Sequence, residues 1–253
     1  MEELPVSRAV WCGKHWSYLD EVGSTNDYLK KGDFPDGTVV IAGRQTAGKG
    51  RRGKSWSGAP TGQALYLSVL FHSMKPDDMG LLPLLCGLAA ARTLGDAARI
   101  KWPNDVLLHQ KKVCGILCES RIQGSRVSAV CGIGINLNQP AAFFVENDLP
   151  HATSLLSVTG EERPVLTEAG MLLDELEPIL DQYRREGFAP FLPAYQALCA
   201  TLGRQVQVIR AQQTVTAQAV SIAPDGGLVC SKDGETFVIR AGEASVRGLY
   251  GYL

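Results

Sequence analysis

The chain has almost no net charge, since 25 Lys+Arg against 26 Asp+Glu leave a formal −1 over 253 residues. A dedicated nucleic-acid binder carries a basic excess across a whole domain, so no nucleic acid is expected among the partners. There is no uncharged apolar run of transmembrane length. The opening residues Glu2, Glu3 and Pro5 do not build a basic segment followed by an apolar one. No membrane association and a cytoplasmic location are therefore expected. Histidine is scarce, at positions 15, 72, 109 and 151, with no HxxxH spacing, and the cysteines at 12, 86, 114, 118, 131, 199 and 230 contain no CxxC pair. Zinc is a poor reading of such spacings. Most of the cysteines sit in apolar runs such as Val113-Cys114-Gly115-Ile116-Leu117-Cys118, where a free thiol behaves as a small hydrophobe. That suits a reducing compartment. Internal repeats and low-complexity tracts are also missing. With 45% hydrophobic residues, the chain can bury a large core, as one domain or as a main domain with a small appendage.

One concentrated feature stands against this plain background. Between residues 43 and 56, Lys49, Arg51, Arg52 and Lys54 place four cations in six residues without a carboxylate, interleaved with Gly48, Gly50 and Gly53. Glycine lets backbone N–H groups come close to a bound anion. The apolar segment at 38 to 42 runs directly into this stretch, so the loop is expected to leave a buried strand and hang over its end. A basic surface loop is the plainer alternative.

The rest of the chain frames that loop. Residues 1 to 23 read as irregular or short strands, and Ser24 or Thr25 caps a short helix that Gly32 ends. The same hydroxyls, with Asn26, could instead hydrogen-bond a neutral polar ligand. Residues 64 to 71 form a central strand, apolar on both faces. Asp77 and Asp78 start a helix that runs to about Leu94 and stops at Gly95. Lys101, Trp102, Pro103, Asn104 and Asp105 follow as a polar turn between two short apolar pieces. Lys112 then opens a strand to Glu119. The strand at 126 to 138 alternates glycines at 132 and 134, which indicates close approach by another element or a ligand. Residues 139 to 165 read as a long connection with a short helix. A helix capped by Thr167 and kinked at Pro178 reaches Gly187, and a second helical stretch covers 191 to 199. Beyond Gly203, short alternating runs and turns at 224 to 227 and 232 to 234 predict a small antiparallel barrel.

Three chemistries compete for the loop. Gly43, Gly48 and Lys49 fit the spacing of a phosphate-binding P-loop, but Gly50 occupies the position where a Ser or Thr hydroxyl should reach Mg²⁺. A nucleic-acid loop with Trp56 as a stacking residue conflicts with the charge balance. A lid over a small anionic reactant uses every unusual feature, with Lys101 and Lys112 as fixed cations and Asn104, Asp105 and Asn136 as polar contacts.

The runs 24 to 26, 45 to 56, 101 to 105, 112 to 117 and 132 to 136 together resemble biotin protein ligase, in family order. The resemblance implies an α/β (α+β) catalytic domain with a mixed sheet over residues 1 to 200 and a small SH3-like domain over 201 to 253, the latter suggested also by Gly242, Glu243 and Arg247. It implies ATP with Mg²⁺, biotin as substrate, a biotin carboxyl carrier protein of acetyl-CoA carboxylase as acceptor, and a possible homodimer. Under the resemblance, Lys112, Arg51, Asp105 and Lys101 are catalytic. Ser24, Thr25, Asn26, Gln45, Gly48, Lys49, Gly50, Arg51, Lys112 and Gly115 bind biotin. Lys49, Arg51, Arg52, Trp56, Asn104, Lys112 and Asn136 bind the nucleotide, and no side chains are dedicated to a metal. Lys49 stands where the family commonly has arginine, which keeps the charge and gives up the planar bidentate fork. A DNA-binding segment ahead of the catalytic domain, and with it repressor function, is not expected. A lipoate or octanoyl ligase and a non-enzymatic ligand-binding module are the alternatives.

Overall fold

The computed structural model describes residues 7–56, 58–72, 75, 78–123, 126–210, 213–242 and 245–248. Asp77, one of the two expected helix-starting carboxylates, and Glu243 lie outside the described residues.

A seven-stranded mixed sheet organises the chain, in the order β1-β2-β3-β7-β6-β5-β4. β1 (Trp16–Val22) runs parallel to β2 (Val39–Gln45), and every other neighbouring pair in the sheet is antiparallel. Every residue of β3 (Ala64–Phe71) is buried, as expected for an apolar interior strand flanked by β2 and β7 (Arg126–Asn136). β6 (Lys111–Gln123) forms a long hairpin with β7.

The two faces of the sheet have different covers. On one face, α2 (Asp78–Leu94) and α5 (Val165–Glu186) bury the main core, which takes Leu65, Leu67, Val69 and Phe71 from β3 at the strand period. On the other lies the short α1 (Thr25–Lys31), whose Leu29 packs on Val40, Leu70 and Val130. Ser24 caps α1 by accepting from the Asp27 N–H at 3.4 Å, as the sequence predicts. The smaller cover leaves part of this face open for a cleft.

Several local expectations shift. α5 starts at Val165 behind Pro164, whose carbonyl accepts from the Glu168 N–H at 3.1 Å. Thr167 therefore lies within the first turn rather than capping it. The helix runs through Pro178 as one element. Asp105 opens strand β5 (Asp105–Leu108), pairing with Lys101 at the end of β4 (Arg99–Lys101) and with Gly115, so the turn itself is 102 to 104. The connection after β7 contains two short helices, α3 (Ala141–Glu146) and α4 (Leu155–Thr159).

After α6 (Leu192–Leu198), a five-stranded antiparallel sheet contains β8 (Gln205–Arg210), β9 (Gln213–Ile222), β10 (Leu228–Lys232), β11 (Glu235–Ile239) and β12 (Ser245–Gly248). Asp233 (φ 53°) and Gly234 (φ 84°) make the expected tight turn between β10 and β11. This sheet shares the main core rather than standing apart, with Val206, Val208, Leu228 and Ile239 continuous with the α2 side. Trp102 ties the two sheets together: it is 2% exposed, and its Nε1–H donates to the Gly226 carbonyl at 3.0 Å.

Candidate active site

The open face of the sheet holds a cleft of about 500 Å³ between the end of β2, α1, the basic loop and the strands β6 and β7. Its floor is bare backbone. Gly115 and Gly134 are cross-strand partners, and a Cβ added to either would lie 2.5 Å and 2.7 Å, respectively, from the indole of Trp56. Gly132 has the same relation to Asn26, whose Oδ1 would be 2.4 Å from a Cβ there. The alternating glycines thus let a tryptophan and an asparagine lie on the sheet, the close approach the sequence indicates.

The basic loop is itself a small hairpin. Lys49 and Ser55 form a bridge, the Trp56 N–H donates to the Gly48 carbonyl at 2.9 Å, and a 3-10 turn at Arg51–Gly53 makes the tip. Arg52 (φ 57°) and Gly53 (φ 73°) supply the left-handed pair at the tip. This geometry sorts the cations. Arg51 turns inward, donating to Asn104 Oδ1 at 2.7 Å, and burial lowers its pKa. Asn104 in turn donates to the Ile116 carbonyl at 3.0 Å. Lys49 borders the cleft but pairs with Asp27 of α1 at 2.6 Å. Arg52 is exposed and, with Gly48, borders a separate groove on the loop's outer side.

At one end of the cleft stands Lys112, with Nζ 2.6 Å from Asp105 Oδ1 and 5.1 Å from the centroid of the Trp56 ring. Asp105 is buried behind it. Lys101 is close enough to sense both charges, and burial, partly offset by Asp105, brings its pKa down to about 8. A lysine at that pKa can change charge near neutral pH, a property that clusters at working sites.

The other end is neutral and hydrogen-bonding. Gln45 Oε1 accepts from the Thr25 N–H at 2.9 Å and lies 3.1 Å from Thr25 Oγ1, so its amide nitrogen is the end left for a ligand. Ser68 Oγ lies 2.7 Å from Thr25 Oγ1 and 2.6 Å from Asn26 Oδ1. Asn26 also donates to the Leu117 carbonyl and to Glu119 Oε2, at 3.1 Å and 2.8 Å. Between the ends, Trp56, Tyr66 and Leu117 supply apolar walls. The cleft therefore suits a ligand with a neutral hydrogen-bonding head, an apolar middle and an anionic tail.

Of the residues singled out in the sequence, Ser24, Thr25, Asn26, Gln45, Lys49, Gly50, Arg51, Trp56, Asn104, Lys112 and Gly115 all border this cleft. Gly48, Arg52, Lys101, Asp105 and Asn136 do not. Asp105 is buried beside the cleft and paired with Lys112. Asn136 is committed elsewhere, donating to the Thr153 carbonyl at 2.9 Å and accepting from Gln139 at 3.0 Å. Ser68 escaped the sequence reading, although a serine within an apolar strand was a usable signal. A second cavity of about 400 Å³ lies beyond the Arg51–Asn104 contact, bordered by Met79, Pro83, Pro103 and Cys118.

The family described as biotin/lipoate A/B protein ligase matches residues 18–136, the stretch that carries most of this geometry. The chain is 35% identical to the biotin–[acetyl-CoA-carboxylase] ligase of Mycobacterium tuberculosis, over 92% of this chain and 91% of that protein. It is 32% identical to the bifunctional ligase/repressor of Escherichia coli, over 90% of this chain and 73% of that one. The fold matches a biotin protein ligase from Aquifex aeolicus, solved in complex with biotin and ATP, with TM-score 0.79 and 29% identity, over 93% of this chain and 99% of that one. Likeness at this coverage, together with a cleft built by the matched stretch, means that the chain belongs to the biotin/lipoate A/B protein ligase family.

Proposed function

We propose that this protein is an ATP-dependent biotin protein ligase. It joins biotin to AMP and then passes the biotinyl group to a lysine of a biotin carboxyl carrier protein. The observation that carries the reading is the polarity of the cleft, with the Thr25–Gln45 pair at one end and Lys112 at the other. The neutral ureido ring of biotin meets Ser24, Thr25 and Gln45, its apolar body lies against Trp56, Tyr66 and Leu117, and its carboxylate meets Lys112.

In the first half-reaction a carboxylate oxygen of biotin attacks the α-phosphorus of ATP, a C(O)–O–P linkage forms, and pyrophosphate leaves with the bonding electron pair. Attack of anion on anion proceeds when fixed cations neutralise both and hold them in line. Lys112 serves the carboxylate and the bridging oxygen, Arg51 with Lys49 closes over the adenylate, and Lys101 faces the phosphates. Among the described residues, none of the side chains that border the cleft is a carboxylate, and the neighbouring Asp105 is already paired with Lys112. Mg²⁺ therefore enters on the phosphates of ATP as part of the substrate. Trp56 and Asn104 contact adenosine, and the cavity beyond Arg51–Asn104 has room for a purine ring.

In the second half-reaction the amine of a carrier lysine attacks the acyl carbon, an amide forms and AMP leaves. Asp105 is the carboxylate we assign to orienting that amine and receiving its proton. The hairpin of residues 48 to 56 keeps water from the acyl phosphate meanwhile. A homodimer across the edge strand β1 is the assembly we assign, since the other edge, β4, is bridged by Cys199.

The decisive experiment is exchange of labelled pyrophosphate into ATP with biotin, with lipoate and with neither. Exchange that depends on biotin is expected. Exchange that depends on lipoate, or none with either acid, rejects the reading.

A further inference from the structure

The cleft makes no use of one group of side chains beside it. Cys86 of α2, Cys118 of β6 and Cys131 of β7 come from three elements, and their Sγ atoms all lie within 4.8 Å of one another. Cys118 and Cys131 are cross-strand partners in the β6–β7 hairpin, and α2 packs across both strands. For any triangle with sides that short, some point lies within about 2.8 Å of all three sulfurs, against a metal–thiolate distance of about 2.3 Å. An inward movement of about 0.5 Å per sulfur would therefore close a three-coordinate sulfur site around one atom.

Charge selects the guest. Cys86 and Cys131 are buried and Cys118 is half-buried, and the residue after Cys118, Glu119, is itself a carboxylate. Three thiolates around a monovalent ion would leave a charge of −2 at the main apolar core, to which Cys86 and Cys131 belong and against which Cys118 packs, and around a divalent ion −1. Unpaired charge in such surroundings is costly. A trivalent centre leaves none.

We propose that Cys86, Cys118 and Cys131 form a binding site for a trivalent thiophilic metalloid hydroxide of the As(OH)₃ kind. Three As–S bonds form and three As–O bonds break. The three thiol protons leave with the three hydroxides as water, so the step is neutral and needs no oxidant or reductant. Cys118 gives the way in, because it is half-buried and borders the cavity of about 400 Å³ that Arg51 and Asn104 also border. Once bound, the centre cross-links α2 to both strands of the hairpin beneath the cleft. Cys12, Cys199 and Cys230, each buried apart from this group, have no such role.

The test uses the full reduced chain, treated with sodium arsenite and freed of excess reagent by gel filtration. Native mass spectrometry is expected to show one arsenic gained and three hydrogens lost per chain. Arsenic X-ray absorption is expected to show three As–S bonds and no As–O bond. Arsenite should raise the Tm of the parent and of Cys114→Ala, a buried thiol outside the group. It should leave that of Cys118→Ser unchanged, with arsenic retention at least tenfold lower. Circular dichroism of Cys118→Ser checks that this variant is folded, and Cys131→Ala provides an independent loss of one ligand. Failure to retain arsenic, a centre with two As–S bonds and one As–O bond, or equal retention by folded Cys118→Ser overturns the proposal. Zinc held as tightly as arsenite would overturn the reasoning from charge.

Discussion

Lys112→Ala separates what the cleft does from what holds it together. Lys112 Nζ lies 2.6 Å from Asp105 Oδ1, and the two side chains are 24% and 12% exposed. Breaking a buried pair from one side costs about 3–5 kcal/mol, because the remaining charge is left without its partner. Partial exposure to water, and the remaining attraction of Lys101 and Arg51, offset part of the loss at Asp105. We therefore expect about 3 kcal/mol, at the low end of that range, with the lost cation–π contact to Trp56 adding about 0.5–1 kcal/mol. Urea denaturation followed by near-UV circular dichroism measures this. In biotin-dependent pyrophosphate exchange the same variant is expected to lose at least about 100-fold in rate, the scale for removing one preorganised charge-stabilising donor. The double variant Lys112→Ala/Asp105→Asn removes the stranded charge, so it should recover most of the stability and none of the exchange. Exchange that recovers in step with stability would show that Lys112 only holds the fold, and near-normal exchange in the single variant would show that the site is misplaced.

Arg51→Gly should still form biotinyl adenylate but release it, because the inward contact to Asn104 at 2.7 Å is lost; free adenylate in the medium decides this, and retention equal to the parent refutes it. Gly134→Ala puts a Cβ 2.7 Å from the Trp56 indole, so Trp56 must lift from the strand. Biotin affinity should fall at least about tenfold, or about 1.4 kcal/mol, by calorimetry, and unchanged affinity would remove Trp56 from the binding surface. Lys101, held by burial at about 8 against the ordinary 10.5, binds fewer protons folded than unfolded between those values. Stability contributed by this residue therefore rises with pH across that window. The advantage of Lys101→Met over the parent in urea should shrink from pH 7.5 to pH 10, and a difference independent of pH counts against the assignment. Trp102→Phe removes the 3.0 Å hydrogen bond to the Gly226 carbonyl and should cost at least about 1 kcal/mol, read as a lower Tm.

The local chemistry of the chain was readable in the sequence. A run apolar on both faces marked β3, a side-chain oxygen ahead of Asp27 marked the start of α1, and Asp233-Gly234 marked a hairpin. Each is decided by residues within a few positions of one another. The cluster of four cations among glycines in the basic loop stood out for the same reason. Boundaries that depend on partners were less accessible. Asp105 reads as a turn residue beside Pro103 and Asn104, yet pairing with Lys101 and Gly115 draws it into a strand.

By itself, then, the sequence determined the central strand, the main helices and a glycine-spaced cationic loop, and singled out the polar residues at 24 to 26, 101 to 105 and 112. Tertiary structure decided which of these face one cleft. Register between β6 and β7 sets Gly115 opposite Gly134 and so places Trp56 on the floor. It also brings Cys118 and Cys131 together under Cys86, while a hydrogen bond to the Thr153 carbonyl holds Asn136 away from the cleft. Shifting an antiparallel pair by one residue sends every side chain to the opposite face. Register is fixed by contacts between residues far apart in the chain, so these placements exist only in the folded sheet.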